Sequence, residues 1–192
     1  MRLSARFDEA LLYATRLHAD QTRKASGVPY VAHLLEVAAI VLQHGGSEDE
    51  AIAALLHDAV EDQGGAATRD EIERRFGKHV AEIVDGCTDT DVTPKPAWRE
   101  RKEKHLAQLC HASPSVCLVA AADKLANARS LVKELSEQGN DLWQAFRGGR
   151  EGTLWYYQSA LVTLEPSVPA ALATELRQKV EELVQLADPR GN

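Results

Sequence analysis

Apolar positions recur along this chain at intervals of three and four residues, the period of a helix rather than a strand. Phe7, Ala10, Leu11, Ala14 and Leu17 form one such stripe and predict a helix over 7–19. Leu34, Leu35, Val37, Ala38, Val41 and Leu42 predict a second over 31–42, which Gly45 and Gly46 stop. The connecting DQTRKASGVPY reads as a polar loop, broken by Gly27 and Pro29. Ser47-x-x-Glu50 is a capping box that opens a central helix, AIAALLHDAVED over 51–62, closed by Gly64 and Gly65. Thr68-x-x-Glu71 is expected to cap a short helix ending near Gly77, and Val80, Ile83, Val84 and Cys87 mark the next.

The second half keeps the same period. DTDVTPK, 89–95, reads as a turn, because it lacks the glycine and distal glutamate of a calcium loop. A charged helix is expected over 97–110, and Ser113-Pro114 supplies an N-cap followed by proline at the first helical position. Residues 116–122 are apolar on every side, the mark of a buried helix. Asn140 or Asp141 caps a helix with Leu142, Trp143 and Phe146, interrupted by RGGR and continued by LWYYQSALVTL. Pro166 and Pro169 precede a last helix running to Leu186. No period-2 run and no internal repeat appears. The expectation is an all-α bundle of about eight or nine helices, with 1–192 as one domain.

Composition adds limits rather than detail. A chain of 192 residues, 44% apolar and 27% charged, suffices for one substantial core. No apolar run approaches the roughly 20 residues that span a bilayer. The opening MRLSARFDEALLYA lacks a signal peptide's apolar stretch, so no membrane association and a cytoplasmic location are expected. Cys87, Cys110 and Cys117 are scattered and read as small buried hydrophobes in a reducing compartment. The net charge of −7 without a basic tract argues against nucleic acid as a partner. A small phosphorylated ligand stays open, since a few local cations and a metal can reverse the field in one cleft. The pattern leaves the oligomeric state undetermined.

Candidate chemistry concentrates in 51–62. On a helix, Ile52, Leu55, Leu56, Ala59 and Val60 make an apolar stripe, with His57, Asp58, Glu61 and Asp62 opposite. One imidazole and three carboxylates within two turns repel one another unless a cation lies among them. A divalent metal answers that need, and a solvated polar face is the plain alternative. His33, in PYVAHLLEVA, reads by itself as a core or surface histidine. Asp123 is more demanding, because it ends the nearly pure apolar run VCLVAAAD. A carboxylate in a buried helix needs a strong partner. Lys124 and Arg129 are expected to project elsewhere, which favours a metal at Asp123. Asn127 and Ser130 follow Asp123 as a polar line along the same face.

His33, His57-Asp58 and Asp123, in this order, resemble the HD superfamily of metal-dependent phosphohydrolases. RKASGVPYVAH, ALLHDAVED, FGKHVAEIVDGCTD and ADKLANARSL are similar to the RelA/SpoT hydrolase domain, more narrowly to stand-alone small alarmone hydrolases of the metazoan SpoT-homologue type. The likeness covers about 7–131, leaving the helices over 141–186 to complete the bundle. It implies one Mn²⁺ per chain, held by His33, His57, Asp58 and Asp123. It implies that Glu61 and Asp62 position and deprotonate the attacking water, which their place one turn beyond His57 and Asp58 supports. Arg23 and Lys24 would hold base and phosphates, and Asn127 and Ser130 the ribose and a neighbouring phosphate. Lys95, Arg99 and Lys102 are further candidates for the pyrophosphate, and Tyr156 and Tyr157 for a wall of the site or simply core.

The activity implied is hydrolysis of the 3′-pyrophosphate of a guanosine or adenosine alarmone, (p)ppGpp to GDP or GTP plus pyrophosphate. An HD phosphatase acting on another nucleotide such as NADPH, or a non-catalytic nucleotide sensor, would use the same residues. AADKLANAR departs from the family's more usual LADRLHNMR, with the smaller Ala126 and Ala128 beneath the pocket. That departure leaves the identity of the nucleotide open.

Overall fold

The computed structural model describes residues 2–90, 94 and 96–188; Lys95, and with it Asp91 to Thr93 of the expected turn, lies outside them. Among the described residues there are ten α-helical segments, two 3-10 helices and one isolated β-bridge, Thr22 to Pro29. The all-α expectation holds.

The first helix, α1 (Ala5–Leu17), starts where the Ser4 hydroxyl accepts a hydrogen bond from the Arg6 amide at 3.2 Å. Its small buried residues Ala10 and Ala14 let it lie close on the third helix. Then α2 (Val31–Gln43) ends at a turn in which Gly45 has φ +85, a conformation that a side chain would strain. Next, α3 (Glu48–Leu56) is opened by the expected capping box, with both of its hydrogen bonds formed. Its residues Ala51 to Leu56 are fully buried, because α1, α2, α6 (Lys78–Cys87) and α8 (Pro114–Gln138) all pack on it.

The helix expected over 51–62 does not run through. It stops at Leu56, His57 and Asp58 form a turn, and α4 (Ala59–Asp62) adds one further turn. The cause is local. The His57 ring Nδ1 lies 2.8 Å from the Ala54 carbonyl, the acceptor that the Asp58 amide would use in a continuous helix. This split raises the count of helices above the eight or nine expected.

Two further expectations are corrected. Thr68 does not cap a helix, because α5 (Gly65–Phe76) already begins at Gly65; its hydroxyl instead donates to the Gln63 carbonyl at 2.7 Å. The stretch after Gly139 is a 3-10 helix (Gly139–Ala145) rather than an α-helix capped by Asn140 or Asp141. The core axis is α8, 25 residues long and capped by Ser113 as expected. Val116 to Ala122 are all buried. Small residues at Ala120, Ala121, Ala122, Ala126 and Ala128 let neighbouring helices approach closely, and α2, α3, α6, α9 (Gly149–Leu164) and α10 (Ala170–Ala187) all touch α8. The remaining helix, α7 (Trp98–Leu109), packs on α9 through Trp98, whose ring lies where a side chain at Gly148 or Gly152 would stand.

Candidate metal centre

Three mutually packed elements carry the centre: α2 brings His33, the α3–α4 break brings His57 and Asp58, and the middle of α8 brings Asp123. His33 Nε2 lies 3.1 Å from Asp123 Oδ1 and 3.8 Å from Asp58 Oδ2. His57 Nε2 lies 3.0 Å from Asp58 Oδ2 and 3.5 Å from Asp123 Oδ1. One donor atom each from His33, His57 and Asp58 falls within 4.8 Å of the others, and Asp123 Oδ1 lies within 3.5 Å of both imidazole Nε2 atoms.

Both imidazole Nε2 atoms are buried and have no hydrogen-bond partner among the described residues. Each instead stands 3.0 to 3.1 Å from a carboxylate oxygen without the alignment of a hydrogen bond, an arrangement in which one cation can be shared. The Ala54 carbonyl can only accept, so His57 Nδ1 carries the proton and Nε2 offers its lone pair inward. Donors that share one cation at bonds of about 2.1 Å lie roughly 3 to 4 Å apart, which these contacts match. Two imidazoles and two carboxylates suit a divalent transition metal.

The electrostatics agree. Burial would depress His57, but the adjacent Asp58 and Asp123 carboxylates outweigh it and hold the imidazole well above its usual range. Burial would raise Asp123, yet Lys124 and the two histidines hold it well below the usual carboxylate range. The pocket therefore demands positive charge among its carboxylates, which a divalent cation supplies.

Lys124 corrects an expectation. Neighbours on a helix point about 100° apart, which suggests that Lys124 turns away from Asp123. Its long side chain instead folds back, and Nζ donates to Asp123 Oδ2 at 2.5 Å. Arg129 does project elsewhere, to Glu175 at 2.9 Å and Glu36 at 3.4 Å. Asn127 Nδ2 donates to Asp123 Oδ1 at 2.5 Å, and Arg23 Nη1 donates to Asn127 Oδ1 at 2.8 Å. Arg23 thus reaches the centre through Asn127, although the two are 104 residues apart.

The acidic pair follows Asp58 by three and four residues, on α4. Asp62 Oδ2 accepts from Gln21 Nε2 at 2.8 Å. Gln21 Oε1 in turn accepts from His18 Nδ1 at 2.7 Å and from Gln63 Nε2 at 2.6 Å. Two donors on that oxygen fix the amide orientation, so Gln21 must present its NH₂ to Asp62. Glu61 Oε1 is 3.9 Å from Arg101, which is buried and bound to Asp89 at 2.6 Å.

The other candidates divide. Arg23 and Ser130 line a cleft of about 310 Å³ that opens beside His33. Lys24 is exposed and does not line it. Arg99 stacks on the Trp155 ring at 3.2 Å and pairs with Glu103, while Lys102 binds Asp89 at 2.8 Å and lies over Tyr156. Tyr156 and Tyr157 are buried.

Sequence reasoning missed Tyr30, whose hydroxyl donates to Asp58 Oδ2. Its place one turn before His33 was the available signal. Gln21 and the Asp89–Arg101 pair carried none, because their partners are distant in sequence.

A family model described as "HD domain" matches residues 10–154, a span that holds every candidate ligand and acidic residue. The chain is 42% identical over 131 residues to the Homo sapiens guanosine-3′,5′-bis(diphosphate) 3′-pyrophosphohydrolase MESH1, covering 67% of this chain and 70% of that protein. A solved structure described as a metazoan ortholog of SpoT that hydrolyzes ppGpp superposes with TM-score 0.80 at 29% identity, over 95% of this chain and 97% of that one. A crystal structure from Listeria monocytogenes EGD-e superposes with TM-score 0.68 at 31% identity, over 78% and 96%. With three packed helices bringing its His and Asp residues to one buried point, and with these matches, the chain belongs to the HD-domain family, within its RelA/SpoT branch.

Proposed function

We propose that this protein is a Mn²⁺-dependent pyrophosphohydrolase that removes the 3′-pyrophosphate from a guanosine alarmone or its adenosine analogue, with residues 1–192 acting as one HD unit. The observation that carries this is the pair of buried imidazole Nε2 atoms facing Asp58 and Asp123. The names of its relatives supply the nucleotide.

His33, His57, Asp58 and Asp123 would hold the metal, which when bound lowers the pKa of a water and polarises the phosphate it touches. Glu61 and Asp62 take the proton of the attacking water, and Gln21 holds the Asp62 carboxylate for that task. Lys124 and Asn127 brace Asp123 so that its carboxylate keeps one orientation. Arg23, already tied to Asn127, lines the cleft and would receive phosphate oxygens, for which a guanidinium fork is suited. Ser130 lines the same cleft and meets the ribose side of the nucleotide.

The test is product analysis with purified protein and Mn²⁺ on ppGpp and ppApp. Pyrophosphate release that depends on Asp58 is expected. Release of single phosphates, or none from any 3′-pyrophosphorylated nucleotide, overturns the assignment.

A further inference from the structure

Asp123, Asn127, Ser130 and Glu134 lie at successive turns along one face of α8, since steps of four, three and four residues return to the same side of a helix. The first three reach the metal cluster, Arg23 and the cleft in turn. Glu134 is the last in the row, and nothing described so far uses it. It is only 6% exposed and it lines the cleft. Among the described residues no side chain or backbone group pairs with its carboxylate, although its neighbours Lys133 and Arg129 line the same cleft. Its oxygens are not among the side-chain atoms sealed from solvent, so they open onto the cleft, where a ligand can supply the donors that the protein does not.

The distance suits a nucleotide. Glu134 stands about 16 Å beyond Asp123 along the axis, and its side chain leans back toward the helix N-terminus. The cleft runs from His33 to Glu134, so a nucleotide held by its 3′-phosphate at the His33 end can reach Glu134 with its base. A carboxylate accepts two hydrogen bonds side by side, and the base that presents two adjacent N–H donors on its Watson–Crick edge is guanine, through N1–H and N2–H. Adenine puts the bare N1 acceptor there, against a negative oxygen. Hypoxanthine keeps N1–H and lacks the amino group.

Resting on the hydrolase assignment above, we infer that Glu134 is a specificity-determining residue that reads the guanine edge of the substrate in the cleft beside His33. The experiment compares kcat/KM for the 3′-pyrophosphorylated guanosine, inosine and adenosine nucleotides in wild type and Glu134→Gln. The swap conserves volume and replaces one acceptor by a donor. Wild type should prefer guanosine, then inosine, then adenosine. In Glu134→Gln the guanosine-to-adenosine ratio should fall by about tenfold to a hundredfold, mainly through KM. Equilibrium binding of the same three nucleotides to both proteins reads the base contact without turnover. An unchanged ratio in both measurements, or a wild type that prefers adenosine, overturns the inference. Hydrolysis of none of the three overturns the hydrolase assignment instead, and the binding ratios then still decide the role of Glu134.

Discussion

Asp58 and Asp123 face the same two imidazoles but are presented in opposite ways. Asp58 stands where a helix breaks, with φ −98 and ψ −1, and needs few braces because the turn itself aims it. Asp123 sits inside the unbroken 25-residue α8, where the backbone has no freedom to turn a side chain toward a target. Lys124 and Asn127 on its own helix orient its carboxylate instead. A break in the chain and a set of side-chain partners are thus alternative means of aiming a carboxylate at the same two imidazoles. The first carries little buried charge besides the candidate ligands. The second stores a buried ion pair that supports the site only while both partners are present.

Removing either carboxylate should break both arrangements at once. Asp58→Ala and Asp123→Ala are each expected to abolish metal retention and turnover, read by metal analysis of purified protein and by pyrophosphate release. They should part in stability. Asp123→Ala strands Lys124, which Asp123 and the nearby Tyr156 and Tyr157 hold well above its usual range against the depressing effect of burial. Unfolding in urea should therefore show the larger loss for Asp123→Ala.

Lys124→Met tests the braced carboxylate from the other side. It should cost up to about 3 kcal/mol in metal-free protein, because Asp123 loses its lysine partner and keeps only the two imidazoles and Asn127, and bound metal should restore much of it. Equal losses with and without metal would show that Lys124 acts by packing alone.

His105 lies on the flank of this cationic region. Burial, then Lys124 and Lys102, push its imidazole down to about 4. The unfolded chain, with an ordinary histidine near 6.5, binds the proton first as the pH falls. Stability from neutral His105 is thus complete above about pH 6.5 and is lost progressively toward pH 4, by about 3 kcal/mol. His105→Leu should flatten the dependence over that window in thermal melts taken at successive pH values.

Tyr30→Phe probes the carboxylate at the break. Loss of the hydroxyl on Asp58 should weaken metal binding by about tenfold to a hundredfold with little change in melting temperature. The smallest effect is expected remote from the chemistry. Ser47→Ala removes the capping box of α3 and should cost about 1 kcal/mol in urea unfolding, with turnover per folded molecule unchanged.

The period of apolar residues was enough for the all-α class and for the positions of α1, α2, α6, α7, α8 and α10, since a helix is a local structure written in steps of three and four. The same local logic missed the break at His57-Asp58. There, a side chain competes with the backbone for the Ala54 carbonyl, and a hydrophobic pattern does not record that contest. It also turned Lys124 away from Asp123, because helix geometry fixes Cβ directions and not the path of a four-carbon side chain.

By itself, the sequence determined the helices, the four candidate ligands with their acidic neighbours, and the family to which they point. Residue type and short spacing suffice for those. Only the tertiary structure decided that Arg23 meets Asn127, that Gln21 orients Asp62, that Tyr30 rests on Asp58, and that Glu134 stands unpaired at the far end of the row beginning at Asp123. The first three of these contacts join separate elements, and the fourth depends on what surrounds α8. All are set by how the helices pack, and no local propensity along the chain carries that information.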